Sequence, residues 1–289
     1  MASVADPVLL AAPTPAGRPR WRDPVPGFGL SLGLALAWLG LVVLLPLAAL
    51  VVRSIGLGVD GWIELLRSER VQAALWLSFG SAFAAALLAT LAGTLIAWVL
   101  VRYRFPGRRF FDAVVDLPFA LPTAVAGIAL TALYSDTGWL GRFLEPLGLV
   151  VAQRPLGIVL ALVFIGLPFA VRTLQPVLET ATREMEEAAA TLGASRWTVL
   201  RRVVLPPLWP AIATGFGLAF ARGLGEYGSV IFIAGNIPFV SEIAPLLIVI
   251  RLEEFDYAGA TGIATLMLAG SFVALLLLGL LQRGRAHGR

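Results

Sequence analysis

Apolar residues fall in long blocks along this chain, and they do not alternate with polar ones. Runs at Gly29–Val52, Ala73–Val101, Ala113–Tyr134, Pro155–Val171, Val203–Ala221 and Ala258–Leu281 hold few charges. A helix needs about 20 apolar residues to cross a hydrocarbon core of about 30 Å, so these six read as transmembrane helices. The second is long enough to tilt, and the fourth is short. Pro206, Pro207 and Pro210 gather at the start of the fifth, where missing N–H groups cost least. The pattern predicts an all-α membrane protein with its transmembrane domain over 29–282.

A further apolar stretch, Ser229–Ile250, is interrupted by Gly235, Asn236, Pro238 and Glu242. Counting it as a span would put the termini on opposite sides. With six spans and an inner N-terminus, the inner segments hold fifteen arginines and the outer ones seven. That is the bias of the positive-inside rule, so 229–250 is expected to be an outer loop that dips into the protein. Residues 1–28 carry Pro13, Pro15, Pro19, Pro24 and Pro26 and read as a disordered cytoplasmic tail. Residues 283–289 read as a basic cytoplasmic tail. The first apolar run is too long for a signal-peptide core and is expected to remain as an anchor.

Composition narrows the chemistry. The chain has 289 residues, 58% hydrophobic and 14% charged, with no cysteine and one histidine, His287, in the tail. All 22 basic residues are arginine. Without lysine there is neither a Schiff base nor a phosphate-loop lysine, so ATP binding and hydrolysis are not expected on this chain. A net charge of +4 raises nucleic-acid binding, but the arginines flank the membrane segments and membrane orientation accounts for them. With no metal-ligand cluster, a membrane enzyme has little to work with.

The polar stretch from Arg172 to Arg202 separates the fourth and fifth spans. Within it TREMEEAAATLGASR places Met185, Ala189 and Leu192 on one stripe of a short helix. Thr182 is the expected N-cap, and Glu184, Glu186 and Glu187 lie where the helix dipole favours negative charge. Gly193 suits the left-handed residue that ends a helix. Such an acidic first turn is repelled by anionic lipid, so a protein groove suits this helix better than a lipid surface.

The order Glu187-Ala188-Ala189, Gly193, Leu205-Pro206 matches E-A-A-x3-G-x9-I-x-L-P, with Val203 in place of Ile. This resembles the membrane subunits of bacterial ABC importers. Three longer stretches, 116–127, 225–236 and 248–254, are similar to the T-type permease subunits of sulfate/thiosulfate importers. The likeness covers roughly 25–283. It implies the type I ABC importer permease fold and a bacterial inner-membrane location with both termini cytoplasmic. The 172–202 loop would be a coupling helix seated on the ATPase through Glu187, Ala188, Ala189, Gly193, Leu205 and Pro206. The implied partners are a W-type permease subunit, two copies of an ATPase carrying ATP and Mg, and a periplasmic or lipid-anchored binding protein that selects the anion. No cofactor is expected on this chain.

Glu226, Tyr227, Gly228, Ser229 and Asn236 are the residues expected to line the outer gate or the pathway. Glu226 also stands four residues after Arg222, the spacing of an ion pair, and Asp116 follows Asp112 at the inner end of the third span. Gly215, Ala219 and Gly223 form a small-residue ridge, read either as internal helix packing or as the seam with the partner permease. No arginine lies deep within an expected span, so the route would pass sulfate on backbone N–H groups and helix N-termini. Molybdate or tungstate permeases share the Gly-Glu-aromatic-Gly element and remain an alternative, as a homodimer. A proton-coupled anion transporter would need carboxylates deep in the spans.

Overall fold

The computed structural model describes residues 27–180 and 183–286. It divides into two units, 1–49 and 50–289. The expected tail over 1–28 lies outside the described residues except for Gly27 and Phe28, as does the end of the basic tail after Ala286. No strand occurs among the described residues. Five of their helices are long and apolar enough to cross a membrane. The first, α1 (Phe28–Ile55), carries nearly all the described residues of the smaller unit, and its side chains are exposed along nearly all its length. A π-helical turn over Gly40–Leu44 precedes Pro46. Proline has no N–H for the usual bond, and the ladder widens by one residue there.

The larger unit is built on α3 (Glu69–Arg102), α7 (Pro155–Thr180) and α9 (Arg196–Leu224). The α3 sequence explains why they come close. Ala74, Ser78, Ala82, Ala85, Ala89, Gly93 and Ala97 recur every three or four residues, and all are buried. A Cβ added at Gly93 would stand 2.7 Å from the Cβ of Ala170 on α7. Lipid tails are as apolar as leucine, so helix association rests on close packing of this kind. Larger side chains fill the space at either end. Ile158, Leu162, Phe220 and Leu224 pack at one end, and Leu100, Leu174, Leu178 and Leu208 at the other.

The third expected span is not one helix. It is divided into α4 (Arg108–Val115), α5 (Leu117–Ala120) and α6 (Thr123–Tyr134). Pro118 and Pro122 impose the breaks, with Leu121 driven into extended backbone before Pro122. The fourth expected span runs further than its apolar block, through Arg172 to Thr180. The fifth begins seven residues early, at Arg196. It passes its prolines through a π-helical turn over Leu200–Val204, where Leu205 N–H bonds to Leu200 O. Pro206 follows that turn as Pro46 follows the first.

Between α9 and the last long helix, α12 (Tyr257–Ala286), lie α10 (Val230–Ala234) and α11 (Ala244–Glu253). Val230, Ile233, Ala234, Ala244 and Leu247 are completely buried. The 229–250 segment therefore dips into the protein as a folded part of its core. The first N–H of α11, on Ala244, is capped from another helix by Ser78 Oγ of α3 at 2.8 Å. An unexpected helix, α2 (Gly58–Arg67), precedes α3. It buries Leu65 and leaves Val59, Ile63 and Leu66 exposed.

Candidate functional site

Two regions carry the residues singled out by sequence. The first is α8 (Arg183–Thr191) and the turn after it. Gly193 has φ +83°, with its N–H on Ala190 O at 3.0 Å, and Ala194 N–H reaches Ala189 O at 3.1 Å. These two bonds form a Schellman motif, which satisfies the last carbonyls and requires the left-handed residue that glycine supplies. Ser195 then caps the start of α9 by accepting from Thr198 N–H at 3.2 Å. Thr182, the expected N-cap, lies outside the described residues.

Two of the three residues of the expected apolar stripe face away from the chain. Met185 is 54% exposed and Leu192 is 89% exposed, with Glu187 and Ala188 exposed between them. Ala189 is half-buried, as are Leu205 and Pro206 past the π-helical turn. Glu186 turns the other way, and its carboxylate accepts from Arg102 Nη2, the last residue of α3, at 2.6 Å. Sequence reasoning missed that pair because 84 residues separate its members and three glutamates compete for the role.

Beside this region, Arg172 on α7 holds α4. Its guanidinium donates to Asp116 Oδ1 at 2.7 Å, and to Asp112 at the carboxylate and backbone oxygens, each 2.8 Å. Gln175 also donates to Asp112 at 2.9 Å, and this bond, together with Arg172, holds the Asp112 carboxyl below the usual carboxylate range. Asp116 is therefore an ion-pair partner that ties a broken helix to its neighbour.

The second region is the segment after α9. Glu226 is 2% exposed. One carboxylate oxygen accepts from Arg222 Nη1 at 2.6 Å, and the other accepts from Ser229 N–H at 2.9 Å and Ser229 Oγ at 3.0 Å. The pairing expected from the Arg222–Glu226 spacing is present. Ser229 is fully buried. Glu226 and Ser229 thus brace the loop from within. Tyr227, Gly228 and Asn236 keep partial exposure.

The loop is locked against α6. A Cβ at Gly127 would stand 2.4 Å from Ser229 O, and one at Gly228 would meet Thr123 Oγ1. Gln153 N–H donates to Ile233 O at 2.7 Å. At the far end Arg70 and Glu242 form a two-pronged pair at 2.8 and 2.7 Å, with the Glu242 side chain 1% exposed.

The ridge of Gly215, Ala219 and Gly223 is buried inside the chain. Cβ atoms built at Gly215 and Gly223 would lie 3.2 Å from Ala170 and 3.6 Å from Ala82, and Ala219 touches Gly166. It seats α9 on α7 and α3.

The family model described as binding-protein-dependent transport system inner membrane component matches residues 89–287. The sulfate transport system permease protein CysT of Synechocystis sp. is 50% identical over 255 residues, covering 88% of this chain and 89% of that protein. The protein of the same description from Escherichia coli K12 is 48% identical over 261 residues, covering 90% and 94%. Among solved structures, a bacterial ABC transporter involved in alginate import superposes with a TM-score of 0.73 at 17% identity, covering 89% of this chain and 96% of that one. The fold is that of the type I ABC importer permeases.

Proposed function

The chain belongs to the binding-protein-dependent transport system inner membrane components, and from that membership we propose that it is the T-type permease subunit of an ATP-driven sulfate/thiosulfate importer. It is a multi-pass inner-membrane protein. The arginine distribution supports an orientation with both termini in the cytoplasm. The observation that carries the coupling role is α8. This short helix stands between two long spans, ends in a glycine-dependent turn and presents Met185, Ala188 and Leu192 outward. An apolar face of that kind next to Glu187 fits a groove on a soluble ATPase, which binds ATP and Mg and hydrolyses the nucleotide.

In this reading, closure of two ATPase copies pulls α8, and the Schellman turn and the π-helical turn pass the motion into α9. The outer segment from Glu226 to Asn236 moves with α6 and α9 as the permease pair turns outward. An external sulfate- or thiosulfate-binding protein supplies the selected anion. This chain need not bind it tightly. A doubly charged anion requires an enclosed polar route, since leaving it unpaired in a low dielectric costs many kcal/mol. A related but distinct W-type permease completes that route.

The test is purification of the tagged chain from native membranes in mild detergent, with the partners identified by mass. Recovery of one distinct permease and an ATPase in two copies supports the reading. A complex holding two copies of this chain and no second permease contradicts it and matches the molybdate alternative.

A further inference from the structure

Three glutamates lie in the first turns of α8; Glu184 and Glu187 are exposed, and Glu186 is drawn back to the chain's own bundle. Its partner is Arg102, whose side chain is 9% exposed, while that of Glu186 is 27% exposed. The Arg102 guanidinium also lies over the Trp98 ring, 5.2 Å from its centroid. Both members of the pair are largely withdrawn from water, where an ion pair is screened less than at an open surface. Behind α8 is a cavity of about 370 Å³, lined by Trp98, Glu186, Ala190, Ala194, Leu200 and Val204 among others. The helix is thus stood off from the bundle along part of its length and pinned to it at the ion pair.

The position of the pin gives it a consequence. The backbone joins α8 to α7 on one side and to α9 on the other. Arg102 is the C-terminal residue of α3, the third long helix of the core, which is not next to α8 in the chain. We infer that the Arg102–Glu186 pair is a direct link that carries coupling-helix motion into α3, with Arg102 acting as a positioning residue that sets the angle of α8. The inference rests on the coupling role proposed above. With the pin in place, a pull on α8 moves all three core helices together. Without it, α8 tilts into the cavity behind it and the pull is partly lost.

The test uses the complete transporter in proteoliposomes with its binding protein, comparing wild type, Arg102→Gln, Glu186→Gln and the exchanged pair Arg102→Glu with Glu186→Arg. Two quantities are read: the ATPase recovered with the permease, and the sulfate carried per ATP hydrolysed. Recovery of the ATPase in wild-type amount is expected throughout, because Met185, Glu187 and Leu192 still face outward. The transport ratio is expected to fall about ten-fold in each single variant, within the usual range of coupling energies. The exchanged pair should recover a substantial part of that loss. Single variants with the wild-type ratio would overturn the inference, and so would an exchanged pair no better than either single change. Failure of the ATPase to accompany even the wild-type chain would instead overturn the coupling role.

Discussion

Gly127 on α6 and Ser229 at the mouth of α10 are in backbone contact, so close that a methyl group at residue 127 would sit 2.4 Å from the Ser229 carbonyl oxygen. Backbone cannot move aside as a flexible side chain can. Replacing Gly127 with Ala should therefore destabilise the protein by about 1–3 kcal/mol, the usual cost of overpacking. The check is a lower thermal midpoint for the purified Gly127→Ala variant. An unchanged midpoint would show that the re-entrant segment is not held by this contact.

The turn after α8 makes a sharper demand. Gly193 has φ +83°, a region costing about 1–2 kcal/mol for a side-chain-bearing residue and more for a β-branched one. Gly193→Val should leave membrane insertion and protein level intact while sulfate uptake is lost. Gly193→Asn should retain most of it, since asparagine tolerates this conformation. Equal uptake in both variants would separate the Schellman turn from coupling.

Glu226 serves three donors from two residues, Arg222 on one carboxylate oxygen and Ser229 on the other. Glu226→Ala leaves Arg222 and the Ser229 N–H without their acceptor. The expected loss is up to about 3 kcal/mol, the low end for a buried pair because the Arg222 side chain is 35% exposed and water can take up its charge. Glu226→Gln retains an acceptor for Ser229 and should lose less. Thermal unfolding of the two variants in one detergent decides the order.

The Asp112 network predicts a pH dependence. Its carboxyl is held below the ordinary range by Gln175 and Arg172, so its contribution to stability is present above the unfolded-state pKa of about 3.9 and lost as pH falls through the lower folded value. Asp112→Asn should thus be less stable than the parent at neutral pH, with the gap closing in acid. A gap that persists or widens in acid would contradict the assignment.

Much of this architecture was legible because lipid enforces it. Long apolar blocks have few readings other than membrane helices, and the 172–202 segment stood out by its polarity. Gly193 could be placed because a helix end has few chemical solutions. The break of the third span was signalled by Pro118 and Pro122, but the uninterrupted apolar count concealed it. The Gly215–Gly223 ridge identified a packing face without saying which helix it meets, and Gly166 and Ala170 answer that only in three dimensions. Pairs such as Arg70–Glu242 and Arg102–Glu186 join residues 172 and 84 positions apart. Charge spacing along one helix reveals neighbours such as Arg222 and Glu226 but not these.

Uptake of labelled sulfate is the most direct test of sulfate transport by this protein. Cells lacking this chain should lose uptake and regain it when the chain is restored, and in the parent unlabelled thiosulfate, but not molybdate, should compete. Intact sulfate uptake in the deletion, together with a defect in molybdate accumulation, would contradict the account.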